Sequence, residues 1–521
     1  MWKASKSSCI AVVLVLYLQL DSFSTGFVSP WTAASRKTSP PTELHFFFGR
    51  GKNKEQGSSN ADGTDSTSAA SNGNASPTIR ITNTQADDYV SSSEHVRRGP
   101  METADIVIIG GGVSGLAAAI TAAQANKNAK IVLLEANSKL GGRVQSVETE
   151  DGFVLDEGFA VFIDQYPEVQ KLLDFDALKL KSFLPGALVK LKDRSTLARV
   201  ADPLKNPADL VPSALAPVGS LLDKIEVLPL VFNVRYKSIE ELFEERETDT
   251  LTVLQDRYGF SEDFIGKFLK PFLEGIYLAP LDQQSSRMFS FVFKMFSEGS
   301  ATLPAGGMKA IAEQLVDKAR SLGVEVRTDT PATCISTKDG DESSFLVECA
   351  KTKKRFKASS LIVATDGKIA QKLISNVQGF ESLEDLPEQP QLSVGCLYYS
   401  FKGTPPVEDP ILILSGIGAA SGNEKNPSLV GKLTISSKSI TSQIPKAQPG
   451  QYKGPFPASV NGGRPNNQYR GKDLPTGLLV CGDHMSTATL NGAVESGVSA
   501  GKDAAKTAKA AIAARNKAAA A

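Results

Sequence analysis

The feature that most constrains the fold is a glycine-rich turn between a short apolar run and an alanine-rich segment. The run Asp105–Ile109 ("DIVII") is β-branched, as is typical of a buried parallel strand. Gly110, Gly112 and Gly115 follow it as G-x-G-x-x-G and open an apolar helix. Gly110 permits a tight turn, Gly112 lets the backbone approach a pyrophosphate, and Gly115 allows the helix to pack closely on the strand.

The residues after this turn predict how the rest of a dinucleotide would bind. Val113 and Ser114 lie in the first helical turn, where the positive end of the helix attracts an anion. A second apolar strand, "KIVLLEA", contains Glu135, which stands about 20 residues further on and would accept the ribose hydroxyls. An acidic residue there favours an unphosphorylated ribose, as in FAD or NAD. A glycine-rich turn in an ordinary α/β protein is the alternative.

The next motif points to FAD. "LGGR" places Gly142 and Arg143 shortly after the second strand. This pair resembles the second motif of a large flavoprotein superfamily that includes amine oxidases, protoporphyrinogen oxidases and carotenoid desaturases. The resemblance implies that the segment runs along the flavin side of FAD, with the arginine near the pyrophosphate. A surface turn with a solvated arginine is the alternative interpretation.

Three later segments also resemble this superfamily. The segment "LPAGGMKAIAEQLVDKARSLGVEVRTDTPATCIS" is similar to the helix and strand by which the chain returns to the cofactor domain, and this implies that the backbone at Ala332 lies near the adenine. The segment "SSLIVATD" (359–366) is similar to a strand that ends at the cofactor. The segment "LLVCGDHMSTATLNGAVESG" is similar to the closing motif. There the resemblance implies that Gly482 and Asp483 approach the ribityl chain and pyrophosphate. It also implies that a helix pointing at the flavin begins with Asn491, Gly492, Ala493 and Val494.

The resemblance covers most of residues 103–510 and implies an α/β fold, with a Rossmann-type FAD-binding domain interrupted by an α+β substrate domain. The expected FAD-binding segments are 102–175, 302–390 and 475–510; the substrate domain is 176–301 and 391–474, and 511–521 is a tail.

The N-terminus predicts targeting rather than folded structure. An apolar run over residues 10–20 is shorter than the ~20 residues needed to span a bilayer. Residues 1–26 are therefore interpreted as a cleavable signal peptide, and a membrane anchor is the alternative. Residues 27–101 are expected to be a transit peptide and a disordered linker. This arrangement resembles the bipartite presequences of algae with secondary plastids, so the expected location is the plastid (chloroplast).

Composition excludes several classes of function. The formal net charge is zero, which argues against a nucleic-acid partner. Five cysteines without a C-x-x-C spacing disfavour a disulfide framework or zinc site, and we expect no metal. His484 is the only histidine outside the polar N-terminal stretch. Because hydride transfer to a flavin needs no histidine, we expect His484 to line the cofactor site or to be structural, and the catalytic residues are unknown.

We expect a small hydrophobic organic substrate, although the apolar segments of the substrate region do not themselves identify it. The apolar segments "VGSLLDKIEVLPLVFNV" and "SSRMFSFVFKMF" are interpreted as core packing. The wall of a substrate tunnel and a peripheral membrane-docking face are the alternatives. The oligomeric state is open.

The sequence departs from the amine oxidase pattern at positions that bear on the reaction class. Gly395 or Cys396 stands where those enzymes have a lysine. Thr489 stands where they have one of two aromatic rings, and Tyr398 or Tyr399 could supply the other ring. Desaturase-like or isomerase-like chemistry is therefore favoured over amine oxidation. The region from residue 400 to 482 is shorter than the resemblance implies, so a non-catalytic flavin-binding scaffold is a further alternative.

Overall fold

The computed structural model describes the folded body and a short N-terminal strand. The described residues are 10–16, 100–157, 161–192, 194–202, 205–277, 279–338, 341–385, 392–401, 407–416, 434–440, 467–469 and 472–520. Most of the predicted targeting region and most of 402–471, including the shortened stretch, lie outside them.

Twenty strands are present among these residues. They are β1 (Ile10–Leu16), β2 (Met101–Ile109), β3 (Ile131–Leu134), β4 (Ser146–Glu148), β5 (Val154–Asp156), β6 (Phe162–Ile163), β7 (Lys181–Ser182), β8 (Gly186–Lys190), β9 (Leu197–Ala201), β10 (Ala301–Leu303), β11 (Glu325–Arg327), β12 (Cys334–Lys338), β13 (Asp341–Cys349), β14 (Lys354–Val363), β15 (Leu392–Phe401), β16 (Leu412–Ser415), β17 (Thr434–Ile440), β18 (Gln468–Tyr469), β19 (Lys472–Asp473) and β20 (Leu478–Val480).

The α-helices of the described residues lie between and after these strands. They are α1 (Val113–Ala125), α2 (Pro167–Leu172), α3 (Phe175–Leu178), α4 (Leu210–Leu215), α5 (Leu221–Tyr236), α6 (Ile239–Glu244), α7 (Thr250–Thr252), α8 (Glu262–Phe264), α9 (Lys270–Tyr277), α10 (Ser286–Glu298), α11 (Lys309–Ser321), α12 (Gly367–Ile374) and α13 (Leu490–Ala520). Two π-helical turns, Val253–Arg257 and Ile265–Leu269, follow α7 and α8.

The largest sheet carries the predicted strand–turn–helix–strand unit. Its parallel part has the order β11–β3–β2–β14–β20, and β13 and β12 extend it with antiparallel pairing. The strand β14 is long enough to serve both parts, because Ala358 pairs with Phe345 of β13 and Leu361 pairs with Leu478 of β20. The carboxyl ends of β2, β3, β14 and β20 therefore meet at one edge.

Alternation along β2 divides the interior into two cores. Ile106 and Ile108 face one core, which also contains α1 and α11, whereas Val107 and Ile109 face the other, on the side of α12. Since side chains of successive strand residues point to opposite faces, a strand covered on both sides has to be apolar throughout. The predicted buried parallel strand is confirmed.

The long last helix packs against the helix that follows the glycine turn. A Cβ on Gly497 of α13 would lie 2.2 Å from the carbonyl oxygen of Ser114, and one on Gly501 would lie 2.5 Å from that of Ala118. Only glycine permits so close an approach of the two backbones. The helix continues to Ala520, so no break marks the predicted tail at 511.

Helices dominate the region from residue 210 to 298, as the sequence predicted. A buried aspartate, Asp223, holds the start of α5 in place: one oxygen accepts from the backbone N–H and hydroxyl of Ser220, and the other accepts from the backbone N–H of Ser261 at 2.6 Å. Upstream of it, β8 pairs with β9 and with β16 in a separate three-stranded sheet.

The two apolar segments of this region differ in burial. The prediction of core packing is confirmed for α10, where Met288, Phe289, Phe291, Val292 and Met295 are all buried. It is wrong for most of α5, where apolar side chains are exposed on one face. Packing decides this difference, since α10 is enclosed by other elements and α5 contacts the body with one face only.

The N-terminal apolar run is also part of a sheet. Its residues Ile10–Leu16 form β1, which pairs antiparallel with β15, Ile10 opposite Phe401. None of the helices in the described part of the chain has the length and hydropathy needed to cross a membrane.

Candidate functional site

The glycine turn has the backbone geometry that the sequence predicted. Gly110 has φ 111°, and a Cβ there would lie 2.6 Å from the carbonyl oxygen of Ala364. A Cβ on Gly115 would lie 2.0 Å from the carbonyl oxygen of Gly110. At Gly112, by contrast, the nearest atom to such a Cβ is the Cα of Gly142 at 4.0 Å. Space is thus left open in front of α1, while the turn itself is tightly packed.

The start of α1 is suited to an anion. Gly112 stands at its N-cap in an extended conformation and provides no side-chain cap, and the first turn, with Val113 and Ser114, contains no acidic residue. The first-turn backbone N–H groups and the helix dipole therefore present positive charge to this space. A pyrophosphate fits such a position.

Glu135 lies immediately after β3 and is held in place by the turn. Its carboxylate is buried, with one oxygen accepting from the backbone N–H of Gly111 at 2.7 Å. The other oxygen accepts from the backbone and side-chain nitrogens of Asn137, both at 2.9 Å. A carboxylate oxygen has two lone pairs, so Glu135 retains capacity for a ribose hydroxyl.

The segment that contains Ala332 passes alongside this carboxylate. The backbone N–H of Thr330 donates to the carbonyl oxygen of Glu135 at 2.8 Å, and the half-buried Ala332 packs against the core on the α12 side. The structure thus brings the predicted adenine-side residue to the end of β3, close to the predicted ribose ligand.

The second motif lies directly on the glycine turn. The backbone N–H of Gly141 donates to the carbonyl oxygen of Gly111 at 2.8 Å, and Gly142 has φ 60°. A Cβ on Gly142 would be 3.2 Å from the Cα of Gly112. The two glycine motifs are therefore adjacent walls of one site.

An ion pair joins this motif to the closing segment of the chain. Arg143 donates to both carboxylate oxygens of Asp483, at 2.8 and 2.7 Å. Partial burial opposes the charge of Arg143, but attraction by Asp483 and by Asp366 more than offsets it and raises the pKa of the guanidinium. The two predicted residues lie 340 positions apart in sequence and are in direct contact.

Ser496 holds the closing segment against the glycine turn. Its hydroxyl accepts from the backbone N–H of Gly482 at 3.0 Å and donates to the carbonyl oxygen of the same residue at 2.8 Å. It also lies 3.4 Å from the hydroxyl of Ser114 in the first turn of α1. Sequence reasoning missed Ser496, because its partner Ser114 is 382 residues away.

His484 is enclosed behind this segment. It is 5% exposed, and its ring meets the ring of Tyr469 edge-on with 6.5 Å between the ring centroids. Gly482 has φ 155°, and a Cβ there would lie 2.5 Å from the imidazole. These contacts support the structural interpretation of His484.

The predicted helix start at Asn491 is built by side chains of its own. Thr489 caps the helix. The Thr489 hydroxyl accepts from the backbone N–H of Gly492 at 3.1 Å, and the Thr489 carbonyl oxygen accepts from the backbone N–H of Ala493. The Asn491 side chain accepts from the backbone N–H of Glu168 at 2.9 Å and so positions α2. Val494 is 1% exposed and belongs to the core.

Two further polar groups lie beside the Arg143–Asp483 pair and the closing segment. Asp366, at the end of the β14 segment, caps α12 by accepting from the backbone N–H groups of Lys368 and Ile369, both at 3.0 Å. The sequence carried a signal for it in the terminal "ATD". Burial raises the pKa of the Cys481 thiol to about 12, so this neighbour of Gly482 is a neutral thiol near pH 7.

Sequence comparison assigns the family. Residues 113–450, more than half of the chain, match the family described as flavin containing amine oxidoreductase. The chain belongs to this family. The predicted flavin cofactor is thereby confirmed, and the open space at Gly112, the spare capacity of Glu135 and the Arg143–Asp483 pair fit FAD.

Relatives of the chain include carotenoid enzymes. A carotenoid phi-ring synthase of Chlorobaculum tepidum is 26% identical over 249 residues, which are 45% of this chain and 38% of the relative. A 15-cis-phytoene desaturase of Glycine max is 38% identical over 84 residues, which are 16% of this chain and 14% of the relative. The chain spans well under two-thirds of the length of these curated relatives.

A solved structure shares the fold. An oxidoreductase from Methanosarcina mazei is 16% identical and superposes with a TM-score of 0.52, covering 75% of this chain and 98% of that one. The mixed helix and sheet architecture of the chain is therefore a known fold.

Proposed function

We propose that the protein is an FAD-dependent oxidoreductase that removes a hydride equivalent from a small hydrophobic organic substrate, in a desaturase-like or isomerase-like reaction. The observation that carries the proposal is the glycine cradle at Gly112, closed by the Arg143–Asp483 pair. When bound, FAD accepts the hydride equivalent, and the cofactor rather than a protein nucleophile supplies this chemistry.

The chain's own residues would bind and orient the cofactor. The first turn of α1 would hold the pyrophosphate and Glu135 the ribose hydroxyls, as the contacts above allow. Arg143 and Asp483 would hold the flavin side, with Arg143 balancing phosphate charge and Asp483 accepting from ribityl hydroxyls. The neutral Cys481 thiol supplies no competing nucleophile.

The substrate class is inferred from side chains that are committed to structure. Thr489 caps α13 at the position where an amine oxidase has an aromatic ring. Tyr398 is 6% exposed, and its hydroxyl donates to the carbonyl oxygen of Asp156 at 2.5 Å, so its ring serves packing. These roles argue against an aromatic pair that would orient a small amine. The names of the carotenoid and phytoene relatives point to a lipophilic, unsaturated substrate.

The domain arrangement and location belong to the same proposal. Residues 102–175, 302–390 and 475–510 would form a Rossmann-type FAD-binding domain, and 176–301 and 391–474 the α+β substrate domain. The parallel sheet around β2 supports the first, and the helices between 210 and 298 support the second. The apolar and Ser/Thr-rich composition before residue 40 supports import into a plastid.

Two assays on the purified protein test this function. Under anaerobic conditions, a conjugated or partly hydrogenated polyene should bleach the flavin absorbance, whereas simple amines should leave it unchanged. In air, hydrogen peroxide release with a panel of amines should stay at the background level. Strong turnover of a simple amine would establish amine oxidation instead. Conversion of a polyene into an isomer without bleaching would establish the isomerase-like form of the reaction. Bound flavin with neither bleaching nor any change in the polyenes would support a non-catalytic scaffold.

A further inference from the structure

An exposed apolar face covers two consecutive helices of the proposed substrate region. Nine large hydrophobic side chains of α4 and α5 are each at least 42% exposed. They are Leu210, Val211, Leu215, Leu221, Leu222, Ile225, Leu228, Phe232 and Tyr236, and we call them the α4–α5 face. Soluble monomers rarely expose a contiguous apolar patch larger than a few hundred Å², so such a face indicates a binding surface.

The face is a regular stripe on a helix that is held from behind. On α5 the exposed apolar positions recur every three to four residues from Leu222 to Tyr236, which places them on one side of the helix. The opposite side contributes Leu230 and Val234 to the core, and the buried ammonium of Lys294 on α10 donates to the carbonyl oxygen of Val234 at 3.1 Å. The helix is thus anchored with its apolar stripe outward.

Fully exposed charge on this surface is limited to one cation. Among the exposed residues from 210 to 236, the only charged one is Arg235, next to Tyr236 at the end of α5. The acid of this segment nearest the helix start, Asp223, is buried and bonded to Ser220 and Ser261. The ammonium of Lys224 donates to the carbonyl oxygens of Ala214 and Ala216. The other acid of α5, Glu226, is half-buried, so no fully exposed carboxylate opposes an anionic surface in this segment.

We propose that the α4–α5 face binds a lipid bilayer surface that contains anionic headgroups. Leucine, isoleucine and phenylalanine side chains would enter the boundary between headgroups and acyl chains, as the apolar stripe of an interfacial helix does. Tyr236 and Arg235 would lie at headgroup level, where an amphipathic ring and a cation are both favoured. Two copies packed through this face would each bring an exposed Arg235 to the contact, and the one carboxylate of α5 outside the core, Glu226, is half-buried, which favours the lipid as the occupant.

The first experiment locates the contact within the full chain. Phe232→Trp adds a tryptophan to the face, and Val147→Trp adds one at a 42% exposed position outside it. Tryptophan emission is measured on vesicles of equimolar phosphatidylcholine and phosphatidylglycerol, with and without brominated acyl chains. The emission of the unaltered chain, which contains two tryptophans, is the baseline. The emission added by Phe232→Trp should shift to the blue and be quenched by bromine. The emission added by Val147→Trp should do neither.

The second experiment measures the energetic role of the face. Leu222→Glu together with Phe232→Glu should weaken vesicle binding at that face by about tenfold or more per residue, because large apolar side chains that would enter the bilayer are replaced by charges. The matched control, Val147→Glu with Leu322→Glu, changes two exposed hydrophobics elsewhere and should leave binding unchanged. Flavin content checks that each variant folds.

Three results would overturn the proposal. One is an added tryptophan at 232 that bromine does not quench. Another is equal vesicle binding by the glutamate variant and its control. The third is a blue shift at 232 that grows with protein concentration in the absence of vesicles, because it would identify a second copy of the chain as the occupant. None of these readouts depends on catalysis, so the docking proposal can fail or hold independently of the proposed reaction.

Discussion

At the residue scale, Asp483 and His484 are neighbours with different environments. Asp483 faces the glycine motifs and binds the Arg143 guanidinium through two hydrogen bonds, at 2.8 and 2.7 Å. His484 turns away from it toward Tyr469 and the backbone of Gly482. The segment therefore turns its acid toward the glycine motifs of the proposed cofactor site and its imidazole toward Tyr469.

Substitution should separate these two roles. Asp483→Ala removes an acceptor for the ribityl chain and leaves Arg143 without its partner, so we expect FAD to bind about tenfold more weakly or worse, the effect of losing a hydrogen bond to a charged group. His484→Ala is the neighbouring control and should keep its flavin. The ratio of flavin to protein absorbance measures both. Loss of flavin from the histidine variant alone would contradict the assignment.

Thr489 provides a second test at this scale. Thr489→Tyr removes the hydroxyl that caps α13, and loss of a helix cap costs about 0.5–2 kcal/mol. We therefore expect a lower denaturant midpoint and no gain in amine oxidation. Thr489→Ser keeps the cap and should restore the wild-type midpoint. An active amine oxidase with unchanged stability would show that the aromatic position alone had been missing.

At the element scale, the contact between α1 and α13 controls the position of the anion site. Gly497→Ala would place a methyl group 2.2 Å from the carbonyl oxygen of Ser114, in the first turn of α1. We expect destabilisation of about 1–3 kcal/mol, as for other overpacked sites, together with reduced flavin content. Gly266→Ala is the control, since nothing lies within 4 Å of its added Cβ. Denaturant unfolding with flavin absorbance gives both quantities.

The parallel sheet also contains an acid-sensitive connection between β2 and β11. Arg327 of β11 donates to both carboxylate oxygens of Glu102 in β2 and lies over the ring of Phe356. Hydrogen bonding to Arg327 lowers the pKa of Glu102 from 4.5 to about 2, although burial opposes the shift. A carboxyl group whose pKa is lowered by folding stabilises the folded state at pH values above its ordinary pKa. This stabilisation is lost as the pH falls toward the lowered pKa.

The expected pH dependence follows from that direction. Between pH 4.5 and 2 the unfolding free energy of the wild-type protein should fall more steeply than that of Glu102→Gln, which has no carboxyl to protonate. At pH 7 the variant should be the less stable of the two. Denaturant titrations across this range measure the difference, and parallel curves for the two proteins would exclude the linkage.

At the scale of the whole molecule, the proposed cofactor site draws on segments far apart in the chain. Gly112, Glu135, Arg143 and Asp483 come from its beginning and end, and hydrogen bonds between Gly482 and Ser496 connect the closing loop to α13. A ligand that binds such a site stabilises the folded state of the entire unit. FAD at about 100 times its Kd should therefore add about 2.7 kcal/mol. Melting curves with and without FAD measure this, and Arg143→Ala should reduce the shift.

Sequence prediction succeeded where local chemistry dictates local structure. The run before Gly110 is confirmed as a parallel strand, Met101–Ile109, and the apolar segment after it as a helix, Val113–Ala125. Prediction of burial failed on α5, because an apolar stripe has the same pattern whether it meets the core or solvent. The role of Ser496 was not predicted, because it depends on hydrogen-bonding contacts with residues that only folding brings near.

The sequence by itself determined the cofactor class. Glycines at fixed spacing, a strand before them and an acid after the next strand are local requirements of a dinucleotide, and they can be read without knowing what lies nearby. Tertiary structure decided which side chains meet at the proposed cofactor site, as Arg143 and Asp483 do. It also decided which are committed elsewhere: Asn491 to Glu168 and Thr489 to the cap of α13. It alone decided that the apolar stripe of α5 faces outward, because exposure depends on which elements pack against a helix.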